Sequence, residues 1–258
     1  MSNVTPTMGD CPSCGSSDAN ATYPDDGHSW CYSCQTYTSG DKSMQQTKVI
    51  PMSNPATSEL KSVGQVADIP DRKIKQETAR KYNTQVMQSG NMITHHIYQY
   101  FDKDGNHIAN KVREVQGKKF WSEGNLAGSG LFGEHIFGRA GKYITVCEGE
   151  IDAMSAYEML GSKWPVVSIK NGAASALENC RRSFEYLNQF ENVVLCFDND
   201  KPGKEAALKV AELFDPNKCK IIELDLKDAN EYLKTNQRKK FSDDWWNART
   251  FTPAGIVN

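Results

Sequence analysis

Two groups of residues in this 258-residue chain have the types and spacing to do chemistry. The first is Cys11, Cys14, Cys31 and Cys34, two C-x-x-C pairs with 16 residues between the inner cysteines. Two such turns present four soft thiolates to one structural Zn²⁺ without needing a core around it. Redox dithiols or disulfides suit that ribbon spacing less well in a chain that reads as cytoplasmic. The second group is acidic. "ITVC" ends in Glu148, followed by Glu150 and Asp152; "VVLCF" ends in Asp198, with Asp200 after it; "KIIEL" is followed by Asp225 and Asp228. Residues i and i+2 of an extended segment point the same way, so Glu148 with Glu150, and Asp198 with Asp200, can reach toward one point. Two carboxylates ~4 Å apart repel by roughly 1 kcal/mol in bulk water and about 4 kcal/mol at an effective dielectric of 20. A divalent cation reverses that sign, and Mg²⁺ combines few carboxylates with waters and phosphate oxygens. The acidic set therefore points to metal-dependent phosphoryl chemistry. The competing reading is a set of separate helix N-caps, such as Asp200 and Asp228.

The elements that must position these groups follow from the apolar pattern. From residue 142 strands and helices alternate: "KYITVC", then "IDAMSAYEML"; "PVVSI", then "AASALENCRRSFEYL"; "NVVLCF", then "GKEAALKVAELF"; "CKIIEL", then "DANEYL". Continuous apolar strands between amphipathic helices predict a parallel sheet covered on both faces. In such α/β sheets a site forms outside the carboxyl ends of the strands, where all three acidic clusters fall. Upstream, "RKIKQETARKYN" predicts a helix. "HIYQYFDKDGNHIANKVREV" predicts a hairpin turning at Asp104-Gly105. "DKDGN" is a turn and not a calcium loop, because the Gly follows Asp104 directly and the closing Glu is absent. Residues 41–60 are polar, carry two prolines and have no sustained period, so they predict a linker.

Composition narrows the class. Apolar content of 38% and charged content of 24% predict a soluble globular chain. No apolar run approaches the ~20 residues that cross a bilayer, and the N-terminus lacks a signal-peptide pattern, so a reducing cytoplasm is expected. The net charge of −2 hides a net +5 over residues 61–147 beside a net −3 over residues 148–258. A basic block beside an acidic end suits a polyanion bridged by metal to carboxylates, although ordinary surface charge gives the same count. Between the cysteine pairs, Asp26, His28, Trp30 and Tyr37 can form a polar and aromatic face able to stack on unpaired bases. Packing of Trp30 or Tyr37 against the cysteine turns is the alternative. "GEHIFGRAGK" is not a P-loop, because no G-x-x-x-x-G-K-[ST] run occurs.

These motifs carry a resemblance. "CEGEIDAMSA" resembles the Glu motif of the TOPRIM fold, "FDNDKPGKEAA" its Asp-x-Asp motif, and "KDANEYL" the third acidic motif of TOPRIM primases. With the four-cysteine ribbon, "WCYSC", "NKVRE", "LFGEHIF" and "VVSIKNGAASA" in order, nearly the whole chain resembles the primase half of the bifunctional primase–helicases of short-tailed, T-seven-like phages. The resemblance implies a zinc-binding ribbon over 1–40 and a linker over 41–60. It implies a basic subdomain over 61–141, a TOPRIM subdomain over 142–240, and an extension toward a helicase linker over 241–258. It implies a DNA primase that makes short RNA primers on a single-stranded DNA template from ribonucleoside triphosphates, in the host cytoplasm, beside a fused or separate helicase and a DNA polymerase. Mg²⁺, or Mn²⁺ in its place, would sit on Glu148, Asp198 and Asp200 with Asp228 in support; Glu148 could instead be the base for the attacking hydroxyl. Lys111 and Arg113 match positions expected to touch nucleotide phosphates. Lys118 and Lys119 lie in a run whose spacing differs from the family's by about one residue, and a family lysine position just beyond is Trp121 here. His28 matches a base-contacting histidine, and Tyr37 stands where the coliphage protein has tryptophan. A zinc-bearing TOPRIM recombination mediator that only binds DNA, and a TOPRIM nuclease, are the alternatives.

Overall fold

The computed structural model describes residues 5–12, 19–24, 27–31, 36–38 and 59–253. The chain divides into two compact units, Met1–Asn54 and Pro55–Asn258. Cys14, Cys34, Asp26 and most of the expected linker lie outside the described residues. The smaller unit is an antiparallel sheet of short strands, β1 (Thr7–Gly9), β2 (Asn20–Thr22), β3 (Ser29–Cys31) and β4 (Tyr37–Thr38), paired in chain order. Cys11 follows β1 and Cys31 ends β3, and both are buried.

The larger unit opens with α1 (Gln76–Lys81) and an antiparallel sheet of β5 (Thr84–Ser89), β6 (Met92–Phe101), β7 (His107–Glu114) and β8 (Phe120–Gly124), again in chain order. The β6–β7 hairpin turns where the sequence places it. Gly105 takes the left-handed conformation at φ 83°, and the Asp102 carboxylate accepts from the Asp104 and Asn106 amides. The flanking strands β5 and β8 carry weaker patterns and were not expected. The helix expected over 72–83 shrinks to α1 because Ile69 and Ile74 fold back on each other across Pro70, which buries both isoleucines.

The remainder is the expected α/β pattern: β9 (Gly141–Cys147), α2 (Glu150–Met159), β10 (Val166–Ser168), α3 (Ala176–Arg182), α4 (Phe184–Leu187), β11 (Phe190–Cys196), α5 (Lys201–Ala211), β12 (Cys219–Ile221) and α6 (Ala229–Lys234). After them come α7 (Arg238–Trp246) and β13 (Arg249–Thr250). The sheet order is β10-β9-β11-β12-β13, parallel throughout except for the antiparallel β13 edge. Its strands alternate between two cores. Val194 and Cys196 pack toward α2 residues such as Ala153 and Met154, while Val193 and Leu195 pack toward Ala207 and Val210 of α5. One expected helix is broken between α3 and α4 at Ser183, whose hydroxyl donates to Glu134 at 2.7 Å.

The two sheets and the segment after α6 pack together within this unit. The antiparallel sheet and the parallel sheet share a core: Tyr82, Tyr98, Tyr100 and Phe132 pack with Tyr157 and Val166 in one cluster. The Tyr82 hydroxyl donates to the Val166 carbonyl at 2.8 Å. Residues 241–253, the described part of the expected extension, pack into this unit. Phe241 and Trp245 are fully buried, and the Trp245 indole donates to the Thr145 hydroxyl at 2.9 Å. Apolar anchors spaced one helical turn apart in an otherwise charged segment explain why α7 docks.

Candidate active site

Glu148 follows β9 and Asp198 lies just past β11, its parallel neighbour, with Cys147 and Cys196 in register. The register fixes the two carboxylates side by side. The Glu148 carboxylate accepts from the Ala173 amide at 3.1 Å and makes a longer contact with the Asp198 amide at 3.4 Å. Gly203, in the first turn of α5, lets the helix pass against the end of β11, since a Cβ there would come within 2.3 Å of the Asp198 carbonyl oxygen. The Asn199 amide donates to the Lys227 carbonyl at 2.7 Å and so ties the loop after β11 to the loop that carries Asp228.

The carboxylates divide by what they already hold. Asp200 is the N-cap of α5 and accepts from the Gly203 amide at 2.8 Å; Asp228 is the N-cap of α6 and accepts from the Glu231 amide at 2.9 Å. The cap reading is thus real for both, and each cap uses one carboxylate oxygen. Asp225 turns away into a pair with Lys240 at 2.5 Å. Glu150 is buried and neutralised from the other sheet. It accepts from the Tyr100 hydroxyl at 2.6 Å and from Lys111 at 2.7 Å. Asp198 and Asp152 are the strained members. Burial, then Glu148 and Asp228, pushes the Asp198 carboxyl up to about 7. Burial, then Asp228 and Asp198, holds Asp152 well above the usual carboxylate range.

Two cavities open on this cluster. One of about 410 Å³ is lined by Lys111, Phe120, Glu148, Asp152, Gly172 and Asp198. The other, of about 290 Å³, sets Arg72, Arg113, Lys118 and Lys227 against Asp152, Asp198 and Asp228. Lys111 is held firmly, since it also donates to the Lys170 carbonyl at 2.5 Å. Among the described residues no three metal-binding side chains close on one point. The donor chemistry nevertheless fits a divalent cation: hard oxygen ligands lie on adjacent loops, and burial together with the neighbouring carboxylates raises the proton affinity of Asp198.

A family described as Toprim-like matches residues 145–233, the span that carries the three acidic loops. The primase fragment of the bacteriophage T7 primase-helicase is 30% identical and superposes with a TM-score of 0.67, covering 94% of this chain and 100% of that one. The chain belongs to the T7-type phage primase family. A structure of the T7 lagging-strand DNA polymerase interacting with primase domains bound to an RNA/DNA hybrid contains a chain 32% identical to this one. That match has a TM-score of 0.66 and covers 73% of this chain and 94% of the other. The DNA helicase/primase of Enterobacteria phage T3 is 33% identical over 96% of this chain, which spans 44% of that relative's length. The E. coli primase catalytic core shares the fold at 15% identity and a TM-score of 0.52, over 70% of this chain and 72% of that one.

In this chain the expected Glu148, Asp198, Asp228, Lys111, Arg113 and Lys118 line the two cavities. Asp200 caps the helix beside them. Lys119 lines neither cavity, and its carbonyl accepts from the Glu114 amide to close the β7–β8 turn. In the smaller unit His28 stacks on Tyr23 with centroids 4.4 Å apart and lies 5.6 Å from Tyr37, itself 58% exposed, while Trp30 sits opposite Tyr37 in the register. Sequence reasoning missed Tyr23, Arg72, Phe120, Lys170 and Lys227. Arg72 and Lys227 look like ordinary surface charges until the fold brings them to the cavity. Lys170 stands in a matching motif, but only its burial reveals that its ammonium donates to the Ser129 carbonyl at 2.8 Å. Burial pulls that ammonium down to about 8.

Proposed function

We propose that this chain primes DNA replication. It reads a single-stranded DNA template with the smaller unit and joins ribonucleoside triphosphates at the cavities of the larger one. The 3′-hydroxyl oxygen of one nucleotide attacks the α-phosphorus of the next; the new O–P bond forms as the bond to the bridging β-phosphate oxygen breaks, and pyrophosphate leaves. Little covalent work falls to the protein, so rate comes from positioning and charge neutralisation. Lys111, fixed by Glu150 and the Lys170 carbonyl, offers a pre-set cation for a phosphate oxygen. Arg72, Arg113, Lys118 and Lys227 line the adjoining cavity and would receive the remaining phosphate charge. Glu148, anchored by the Ala173 amide, stands where a carboxylate can take the hydroxyl proton or share a metal. The residues that would hold Mg²⁺, or Mn²⁺, are Glu148, Asp198 and Asp200, with Asp228 in support. When bound, the cation offsets carboxylate repulsion and stabilises charge on the phosphates.

The observation that carries this reading is the meeting of raised-pKa carboxylates and a clustered set of cations in one cleft. In the smaller unit, buried Cys11 and Cys31 would be joined by Cys14 and Cys34 around one structural Zn²⁺. Asp26, His28, Trp30 and Tyr37 would face unpaired template bases. A helicase and a DNA polymerase are the proposed partners, and the host cytoplasm is the proposed location. Incubation with template, labelled ribonucleotides and Mg²⁺ tests the function: RNA growing on the template supports it, whereas strand cutting or binding alone overturns it. Zinc colorimetry tests the ribbon, with about one equivalent expected and less than half an equivalent counting against it.

A further inference from the structure

Phe120 is out of keeping with its place in the fold. It opens β8, directly opposite Arg113 in the register, and it is 53% exposed. Unlike the neighbouring aromatics of the shared core, it belongs to neither buried cluster. The Lys111 ammonium lies 5.2 Å from its ring centroid and the Arg113 guanidinium carbon 5.9 Å. The ring lines both cavities, the one holding Glu148 and the one holding Arg72 and Asp228. Trp121, one residue on, faces the other side of the strand and has packing work there. Its ring meets His95 edge-on at 5.5 Å, and its indole donates to Glu123 at 3.4 Å. Phe120 makes no comparable contact with the core. An exposed flat ring beside two phosphate-binding cations is the arrangement that receives a nucleobase.

Resting on the primase reading, we propose that Phe120 is the stacking platform for the base of the ribonucleotide whose phosphates Lys111 and Arg113 hold. Every base has a π-face, so a ring of this kind takes all four bases and leaves the choice among them to the template. The two cations beside the ring set a fixed spacing between the base and phosphate subsites. The ring adds affinity for a base and none for a phosphate chain.

The test compares binding of a ribonucleoside triphosphate with binding of inorganic tripolyphosphate by the full chain. The proteins are wild type, Phe120→Leu and Phe120→Tyr. Stacking predicts that Phe120→Leu weakens nucleotide binding about tenfold, in keeping with the worth of one stacked base, and leaves tripolyphosphate binding unchanged. Phe120→Tyr should retain nucleotide affinity. In primer synthesis the Leu variant should show a raised KM for nucleotide with kcat changed far less. Equal losses for nucleotide and tripolyphosphate would mean that Phe120 only positions Lys111 and Arg113, and would overturn the proposal. Unchanged nucleotide affinity in Phe120→Leu would overturn it too. Wild-type protein that makes no primers would instead overturn the underlying primase reading, and the binding comparison keeps the two failures distinct.

Discussion

The two sheets of the larger unit meet at the site in opposite electrostatic states. On the antiparallel sheet Lys111 is already satisfied, held between Glu150 and the Lys170 carbonyl. On the parallel sheet Asp198 and Asp152 face other carboxylates, and burial raises both proton affinities. The basic side is therefore preorganised, whereas the acidic side gains most when a cation arrives. A polymerising site needs both: fixed donors for the phosphates, and a carboxylate cradle whose strain a metal relieves. The carboxylates differ among themselves too: Asp200 and Asp228 each spend one oxygen on a helix cap, and Glu148 accepts from the Ala173 amide.

Substitutions can break this contrast from either side. Glu148→Gln removes the acidic side's anchored carboxylate, and primer synthesis should fall by at least about a hundredfold in a template assay, the scale on which charge-stabilising groups act. On the basic side, Lys111→Met leaves Glu150 buried beside Tyr100 without its cation. Loss of one partner of a buried pair costs about 3–5 kcal/mol, which denaturant unfolding should register, and synthesis should fall as well. Pairing Lys111→Met with Glu150→Gln should recover most of the stability and none of the activity. Gly203→Ala forces a methyl group against the Asp198 carbonyl and should cost about 1–3 kcal/mol, with a parallel drop in synthesis. Asp200 sharpens the comparison. Asp200→Asn keeps a good N-cap, so stability should hold while synthesis is lost; Asp200→Ala should lose about 1 kcal/mol as well.

The smallest effect is one of pH. Asp198 shifts from 3.8 to about 7 on folding, so the folded chain holds that proton more tightly. The stability lent by protonation is full below about pH 4 and is lost as pH rises through about 7. Without divalent cation, Asp198→Asn should therefore be more stable than wild type at pH 8, by about 1 kcal/mol once solvent screening is discounted. The two should converge near pH 4. Thermal melts across that range, with and without Mg²⁺, read the difference; added Mg²⁺ should help wild type more than the variant.

Much of the site was legible because its acidic half is local in sequence. Each acidic loop directly follows an apolar strand, and a parallel sheet must bring the ends of adjacent strands together. The basic half was legible only in part. Lys111 and Arg113 were legible through the resemblance of "NKVRE" to the family's basic motif, but Arg72 and Lys227 reach the cleft through tertiary folding that no local period records. Lys118 and Lys119 could not be separated in sequence because the left-handed turn at Lys118, φ 53°, decides which one faces inward. The packing of 241–253 was not legible for a similar reason. Phe241 and Trp245 are few anchors in a charged run, and their value appears only against Tyr232, which Phe241 meets edge-on, and the Tyr143–Trp164 pair, which Trp245 meets.

The most direct measurement is template-directed primer synthesis by Asp198→Asn beside wild type at saturating Mg²⁺, with folding and zinc content checked on the same samples. The expected result is a folded, zinc-replete variant that makes no primers. A variant that still primes under those conditions would contradict the assignment of Asp198 and its neighbours as the metal-holding centre.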